Sequence, residues 1–146
     1  MPISLTRLNT KHEINSAILS LQNDFWADIE KKVGNLEQYS DKLQKHGQVW
    51  VCKQDEAIQG MVAFYANDRE RKCAFLTAIV VARAARGAHI GSLLMEKCKD
   101  ICVLEGMEWI RLECAKDNLI AQNIYKAKGF SIERETKDSL FMIAKL

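Results

Sequence analysis

The chain has 146 residues, 48% of them hydrophobic and 27% charged, with a single proline; that is enough for one filled core and too little for two full domains. Its 21 basic residues against 19 acidic leave a net charge of +2, so no broad field points to nucleic acid or to an anionic membrane as partner. No stretch reaches the roughly 20 apolar residues of a bilayer span, and Met1-Pro2-Ile3-Ser4-Leu5-Thr6-Arg7 has neither the basic start nor the apolar centre of a secretion signal. A cytoplasmic protein without a membrane partner is expected.

Ile3 to Leu8 alternates apolar and polar as a first strand, and Thr10-Lys11-His12-Glu13 has capping-box spacing for a helix start. Ile14, Ala17, Ile18, Leu21 and Phe25 continue that helix, and Leu36, Tyr39 and Leu43 form a second stripe ending at Gly47. The first third thus reads as strand, helix, helix. Val49 to Cys52, a polar turn at Gln54-Asp55-Glu56, and Ile58 to Ala66 make a hairpin. Cys73 to Val81 is apolar on both faces, as a central strand covered on both sides would be.

A helix of about 16 residues follows, with Ile90, Leu93, Leu94, Cys98, Ile101 and Cys102 on one face and Gly106 as its left-handed cap. Trp109 to Cys114 returns as a strand, and this strand-helix-strand crossover implies parallel pairing. A short helix from Asn118 to Lys128, capped by Gly129, and two strands, Ser131 to Glu135 and Leu140 to Leu146, complete the chain. The expected fold is α/β (α+β): a mixed, mostly antiparallel sheet of seven strands with helices on both faces and one central parallel crossover. No composition shift marks a boundary, so residues 1–146 read as one domain.

The five cysteines, Cys52, Cys73, Cys98, Cys102 and Cys114, lie in apolar runs and include no C-x-x-C pair, so they read as buried thiols in a reducing compartment; no metal is expected. Chemistry concentrates between the central strand and the long helix, in Val80-Val81-Ala82-Arg83-Ala84-Ala85-Arg86-Gly87-Ala88-His89-Ile90-Gly91-Ser92. A helix start offers unpaired amides and the positive end of the backbone dipole to a phosphate, and Arg86 adds a cation. The spacing is neither a Walker A loop nor a dinucleotide fingerprint.

The segment resembles motif A of the GNAT family of N-acetyltransferases, V-x-P-x-x-R-G-x-G-I-G, with Val81, Arg86-Gly87 and Ile90-Gly91 in matching places. Independently, Leu112-Glu113-Cys114 followed by Asn118, Ala121, Ile124, Tyr125 and Gly129-Phe130 is similar to the family's motif B, L-E-V then N-x-x-A-x-x-[LI]-Y-x-x-x-G-F. Two departures stand out: His89 replaces a glycine and Arg83 a proline.

The resemblance implies acetyl-coenzyme A as co-substrate. Its pyrophosphate would lie on Arg86, Gly87, Ala88, His89, Ile90, Gly91 and Ser92. Its pantetheine arm would pair with backbone groups of Ile79, Val80 and Val81 in a gap where the central strand splays from its parallel neighbour, with Asn118 alongside. Tyr125 would protonate the departing thiolate, and Glu113, directly or through water, is the candidate base. Asp24, Asp28 and Glu30, around Trp26, occupy the region where relatives place their acceptor and could bind a cationic amine. The implied activity is acetyl transfer to a primary amine, first of a small molecule such as an amino sugar, polyamine, aminoglycoside or amino-acid derivative. A protein N-terminus or lysine is the alternative acceptor, a non-catalytic acyl-coenzyme A sensor the alternative function, and a homodimer is compatible with either.

Overall fold

The computed structural model describes residues 3–25 and 29–146. In chain order its elements are β1 (Ile3–Leu8), α1 (Lys11–Ser20), a 3-10 turn (Gln22–Asp24), α2 (Ile29–Val33), α3 (Leu36–His46), β2 (Gln48–Gln54), β3 (Ala57–Tyr65) and β4 (Cys73–Val81). A second 3-10 turn (Arg83–Ala85), α4 (Ile90–Leu104), β5 (Trp109–Ala115), α5 (Leu119–Ala127), β6 (Ser131–Glu135) and β7 (Ser139–Lys145) follow. The strands form one seven-stranded sheet in the order β1-β2-β3-β4-β5-β7-β6. β4 and β5 pair in parallel, and the other neighbours are antiparallel.

Local chemistry accounts for most element ends. Thr10 and Glu13 form the reciprocal capping box at α1, Asn35 accepts from the Gln38 amide at α3, and Gly106 and Gly129 take left-handed φ values of 86° and 96° after α4 and α5. The β2–β3 hairpin closes through Asp55 and Glu56, both at positive φ, whose twist suits a two-residue turn.

Two expectations are corrected. The first helix stops at Ser20, and Leu21 leads into a 3-10 turn that leaves Phe25 extended. The Asp24 carboxylate accepts the Arg83 amide at 2.9 Å, a contact across 59 residues that redirects the chain out of the helical path. The short helix α2 was not anticipated, because five residues are too few to show a period.

The sheet separates two apolar layers. On one face Leu94, Cys98, Ile101 and Cys102 of α4 pack on Val62, Phe64, Ala74, Leu76, Ile110 and Leu112. On the other, Ile14, Ala17 and Ile18 of α1 and Leu43 of α3 pack on Val49, Val51, Met61, Ala63, Ala78 and Val80. β4 contributes to both layers because it changes phase: Ala63 pairs with Ala78 and Phe64 with Leu76, so Thr77 is an extra residue, a β-bulge. Ala74 and Leu76 therefore face α4, whereas Ala78 and Val80 face α1 and α3. The expectation of full cover on both sides of this strand is also corrected: Phe75, Thr77, Ile79 and Val81 are half-buried, because a cleft opens beside them.

Gly60 lets α4 approach the sheet, since a Cβ there would meet Val80 O at 2.9 Å, Leu94 Cδ1 at 3.0 Å and Ile90 Cγ2 at 3.1 Å. Gly60→Ala is expected to lower unfolding free energy by about 1–3 kcal/mol in urea titration; unchanged stability would show that this close approach is not maintained.

Candidate active site

Parallel pairing of β4 with β5 runs from Cys73–Trp109 to Leu76–Leu112 and ends there, at the bulge. Beyond it each strand keeps its outer neighbour: β4 stays on β3 to the Val81–Gly60 pair, and β5 stays on β7 to Ala115–Ser139. The two strands therefore diverge, leaving inner-edge backbone groups unpaired. Ala82 N–H donates to Gln59 O on the β3 side, so by strand alternation the Ile79 and Val81 amides point into the gap. Thr77 Oγ1 is 3.0 Å from Tyr39 Oη, which fixes the bulge against α3.

The gap lies in a cleft of about 1650 Å³ that reaches both faces of the sheet. On the α4–α5 face its wall is the β4–α4 loop. Gly87 and His89 have φ values of 92° and 61°, curling the chain into a concave run of amides that continues into the unpaired first turn of α4 at Ile90, Gly91 and Ser92. Lys128 Nζ donates to Ser92 Oγ at 2.8 Å, and Lys99 Nζ to Lys128 O at 2.7 Å. Burial, and then the neighbouring Lys128, lower the Lys99 pKa. Lys128 thereby brings an ammonium group to the first turn of α4, at the positive end of the helix dipole, an arrangement that an anion relieves. These residues fit a pyrophosphate.

Of the residues singled out in the loop, Arg86, Gly87, His89, Ile90, Gly91 and Ser92 line this wall and Ala88 does not, with two further qualifications. Arg86 uses its Nη2 to donate to Asp24 O at 3.2 Å, so in this conformation it ties the loop to the first 3-10 turn. His89 is exposed at the N-cap position of α4 and makes no side-chain cap hydrogen bond; the glycine it replaces is explained by the left-handed φ and not by lack of space.

Asn118 caps α5 by accepting the Ala121 amide at 3.1 Å, and it also lines the cleft. The buried Gln122, which sequence reasoning passed over, donates to Ala115 O at 3.2 Å and Lys116 O at 2.7 Å, locking the β5–α5 corner. This sets Tyr125 beside Cys114, its ring edge-on to Phe130 at 5.9 Å. Burial, with a smaller contribution from Cys114, pushes the Tyr125 phenol up to about 12, so it is a hydrogen-bond donor at neutral pH.

Leu112 and Cys114 are buried on the α4–α5 face, so Glu113 between them points to the opposite face. There its Oε2 accepts from Ser139 Oγ at 2.7 Å. The gap thus has a phenol on one side and a carboxylate on the other. The acceptor-side acids fare differently from expectation: Asp24 is engaged by the Arg83 amide, while Trp26, Asp28 and the Glu30 side chain lie outside the described residues.

Replacing His89 by glycine is expected to stabilise the fold by up to about 1.5 kcal/mol. This is the roughly 1–2 kcal/mol of left-handed strain less the roughly 0.5–1 kcal/mol of chain entropy that glycine adds to the unfolded state. Urea denaturation measures it, and a loss of stability would show that the imidazole makes a contact the strain supports.

The description "Acetyltransferase (GNAT) family" matches residues 15–130. No curated protein matches the chain in sequence at a significant level. Among solved structures, the fold is similar to a GNAT acetyltransferase of Staphylococcus aureus Mu50 (TM-score 0.78, 22% identity, covering 99% of each chain). It is also similar to the PaiA N-acetyltransferase of Thermoplasma acidophilum, solved with coenzyme A (0.76, 15%, 98% of this chain and 99% of that one). The ribosomal-protein-S18-alanine N-acetyltransferase of Escherichia coli is a third (0.81, 15%, 99% and 94%). With the family description spanning most of its length and the diverging parallel strands built as described, the chain belongs to the GNAT family of acetyl-coenzyme A dependent acetyltransferases.

Proposed function

We propose that the protein transfers the acetyl group of acetyl-coenzyme A to a primary amine of a small molecule by direct attack. The observation that carries this reading is the β4–β5 gap, open to both faces of the sheet and flanked by Tyr125 and Glu113. In it the backbone of Ile79, Val80 and Val81 holds the pantetheine arm, and an amide there stabilises the developing oxyanion. Arg86 to Ser92 hold the pyrophosphate, with Asn118 on the arm. The co-substrate supplies the acetyl thioester, and most of the rate comes from alignment of two reactants in a fixed gap. The residues read as one catalytic domain, and the five free cysteines, four of them buried, accord with a reducing cytoplasm. No described helix is long and apolar enough to cross a membrane.

Glu113, directly or through water, takes the proton that the amine loses as the N–C bond forms. Tyr125 donates to the sulfur as the C–S bond breaks. Because the phenol is held near 12 and a thiol sits near 8.5, complete transfer would be uphill by roughly three orders of magnitude. Tyr125 therefore acts chiefly as a hydrogen-bond donor to the thiolate, which takes its proton from solvent. The concave chamber on the α1–α3 face, walled by side chains of α2 and α3, favours a compact acceptor over a polypeptide.

Tyr125→Phe should lower kcat by about 100-fold and leave coenzyme A affinity within about twofold, read by thiol release and calorimetry; unchanged kcat removes Tyr125 from the mechanism. Since the donor is the protonated phenol, no alkaline loss of kcat assignable to Tyr125 is expected until pH approaches its pKa of about 12. Turnover of peptide amines alone would assign a protein acceptor. Thermal stabilisation by coenzyme A without thiol release would assign the sensor function.

A further inference from the structure

Among the described residues, the lining of the chamber on the α1–α3 face carries more basic than acidic side chains. Lys31 and Lys32 of α2 and Lys42 of α3 line it, in a protein whose net charge is only +2. Among the described residues none of the three forms an ion pair within 4.0 Å; the nearby carboxylates of α3 are paired elsewhere, Glu37 with Lys11 at 3.0 Å and Asp41 with Lys45 at 3.1 Å. Two acids among the described residues line the cleft besides. Asp24 is engaged by the Arg83 amide, and Glu113 lies at the gap itself, on Ser139. Arg83 adds a further cationic residue to the lining.

The walls between these charges are aromatic. Tyr39, Tyr65 and Phe75 line the chamber, and Lys42 Nζ is held over the Tyr65 ring, 5.2 Å from its centroid. Charge interactions are screened less in such a concavity than on open surface. Lys32 reports the same condition: burial lowers its pKa, with Glu113 and then Cys114 pulling the other way. Its side chain keeps solvent contact while the surrounding protein limits its hydration, and an anion beside it would offset the solvation it has lost.

We propose that the acceptor is an amine that also carries an anionic group, a phosphate or a carboxylate, bound by Lys31, Lys32 and Lys42 while its amino group faces Glu113 at the gap. A carboxylate at the gap, with the Lys32 ammonium near enough to feel it, offers opposite charges to the two ends of such a molecule. The same lining disfavours polyamines and aminoglycosides, whose further cations would meet the lysines. This proposal rests on the small-molecule reading above and narrows it.

The test is thiol release from acetyl-coenzyme A with matched amines: glucosamine against glucosamine 6-phosphate, ethanolamine against phosphoethanolamine and β-alanine, and spermidine. An anion-bearing member should exceed its neutral partner in kcat/KM by about tenfold or more at low salt, with the advantage shrinking as ionic strength rises; the phosphate and carboxylate arms identify which anion is preferred. The double variant Lys32→Gln/Lys42→Gln should reduce the ratio of anionic to neutral kcat/KM by about tenfold, mainly through KM, and Lys32→Arg/Lys42→Arg should retain it. A ratio near one in the wild type, preference for spermidine, or a ratio untouched by the glutamine pair overturns the anion assignment and leaves small-molecule transfer standing. Turnover of peptides with none of the small amines, or no thiol release at all, overturns the reading on which it rests.

Discussion

Hydrogen bonding between β4 and β5 stops at Leu76–Leu112 while both strands remain bonded to their outer neighbours, and the site depends on that interruption. A parallel pair has evenly spaced bonds and no intrinsic reason to end in the middle of a nine-residue strand. The reason is Thr77, an extra residue that bends β4 and changes which face each later side chain meets. The Tyr39–Thr77 hydrogen bond and burial of Ala78 and Val80 under α1 and α3 hold the bent strand in place. Leu76 and Leu112, buried on the other face, hold the pair together up to the point of divergence.

This geometry explains how the proposed chemistry can draw on both layers. A gap in a sheet is accessible from either face, so a phenol on α5 and a carboxylate on β5 can approach one position without sharing a surface. Gln122 fixes α5 relative to β5, which makes the position of Tyr125 a property of a buried hydrogen-bonded corner and not of a loop. The β4–α4 loop is held from a third direction, by Asp24 on the Arg83 amide and on the Arg86 guanidinium. The proposed anion cradle and the proposed acceptor chamber are consequently linked through the segment that ends α1's path.

Much of the fold was legible because its signals are local. The Thr10–Glu13 box, the glycines after α4 and α5, and the strand-helix-strand crossover each need only a few neighbouring residues to be read. The two loop and strand motifs carried the divergence of the central strands by resemblance, but its cause was hidden. In Cys73 to Val81 every position but Thr77 is apolar, so a one-residue change of phase leaves no mark in the pattern. The Asp24 contacts span about sixty residues in sequence and ended the first helix earlier than its stripe implied. The lysines of the proposed acceptor chamber were unreadable for a similar reason: Lys31, Lys32 and Lys42 look like solvated helix residues until the fold sets them round one cavity.

The central claim is that the inner edge of β4 beyond Leu76 is unpaired in the free protein and is the edge that holds the pantetheine arm. Amide hydrogen exchange at single-residue resolution tests it directly. Ile79 and Val81 should exchange fast in the free protein and slow by about tenfold or more with saturating coenzyme A, while Ala78 and Val80, bonded toward β3, are slow in both states. Slow exchange at Ile79 and Val81 without ligand, or exchange there that coenzyme A leaves unchanged, would contradict the account.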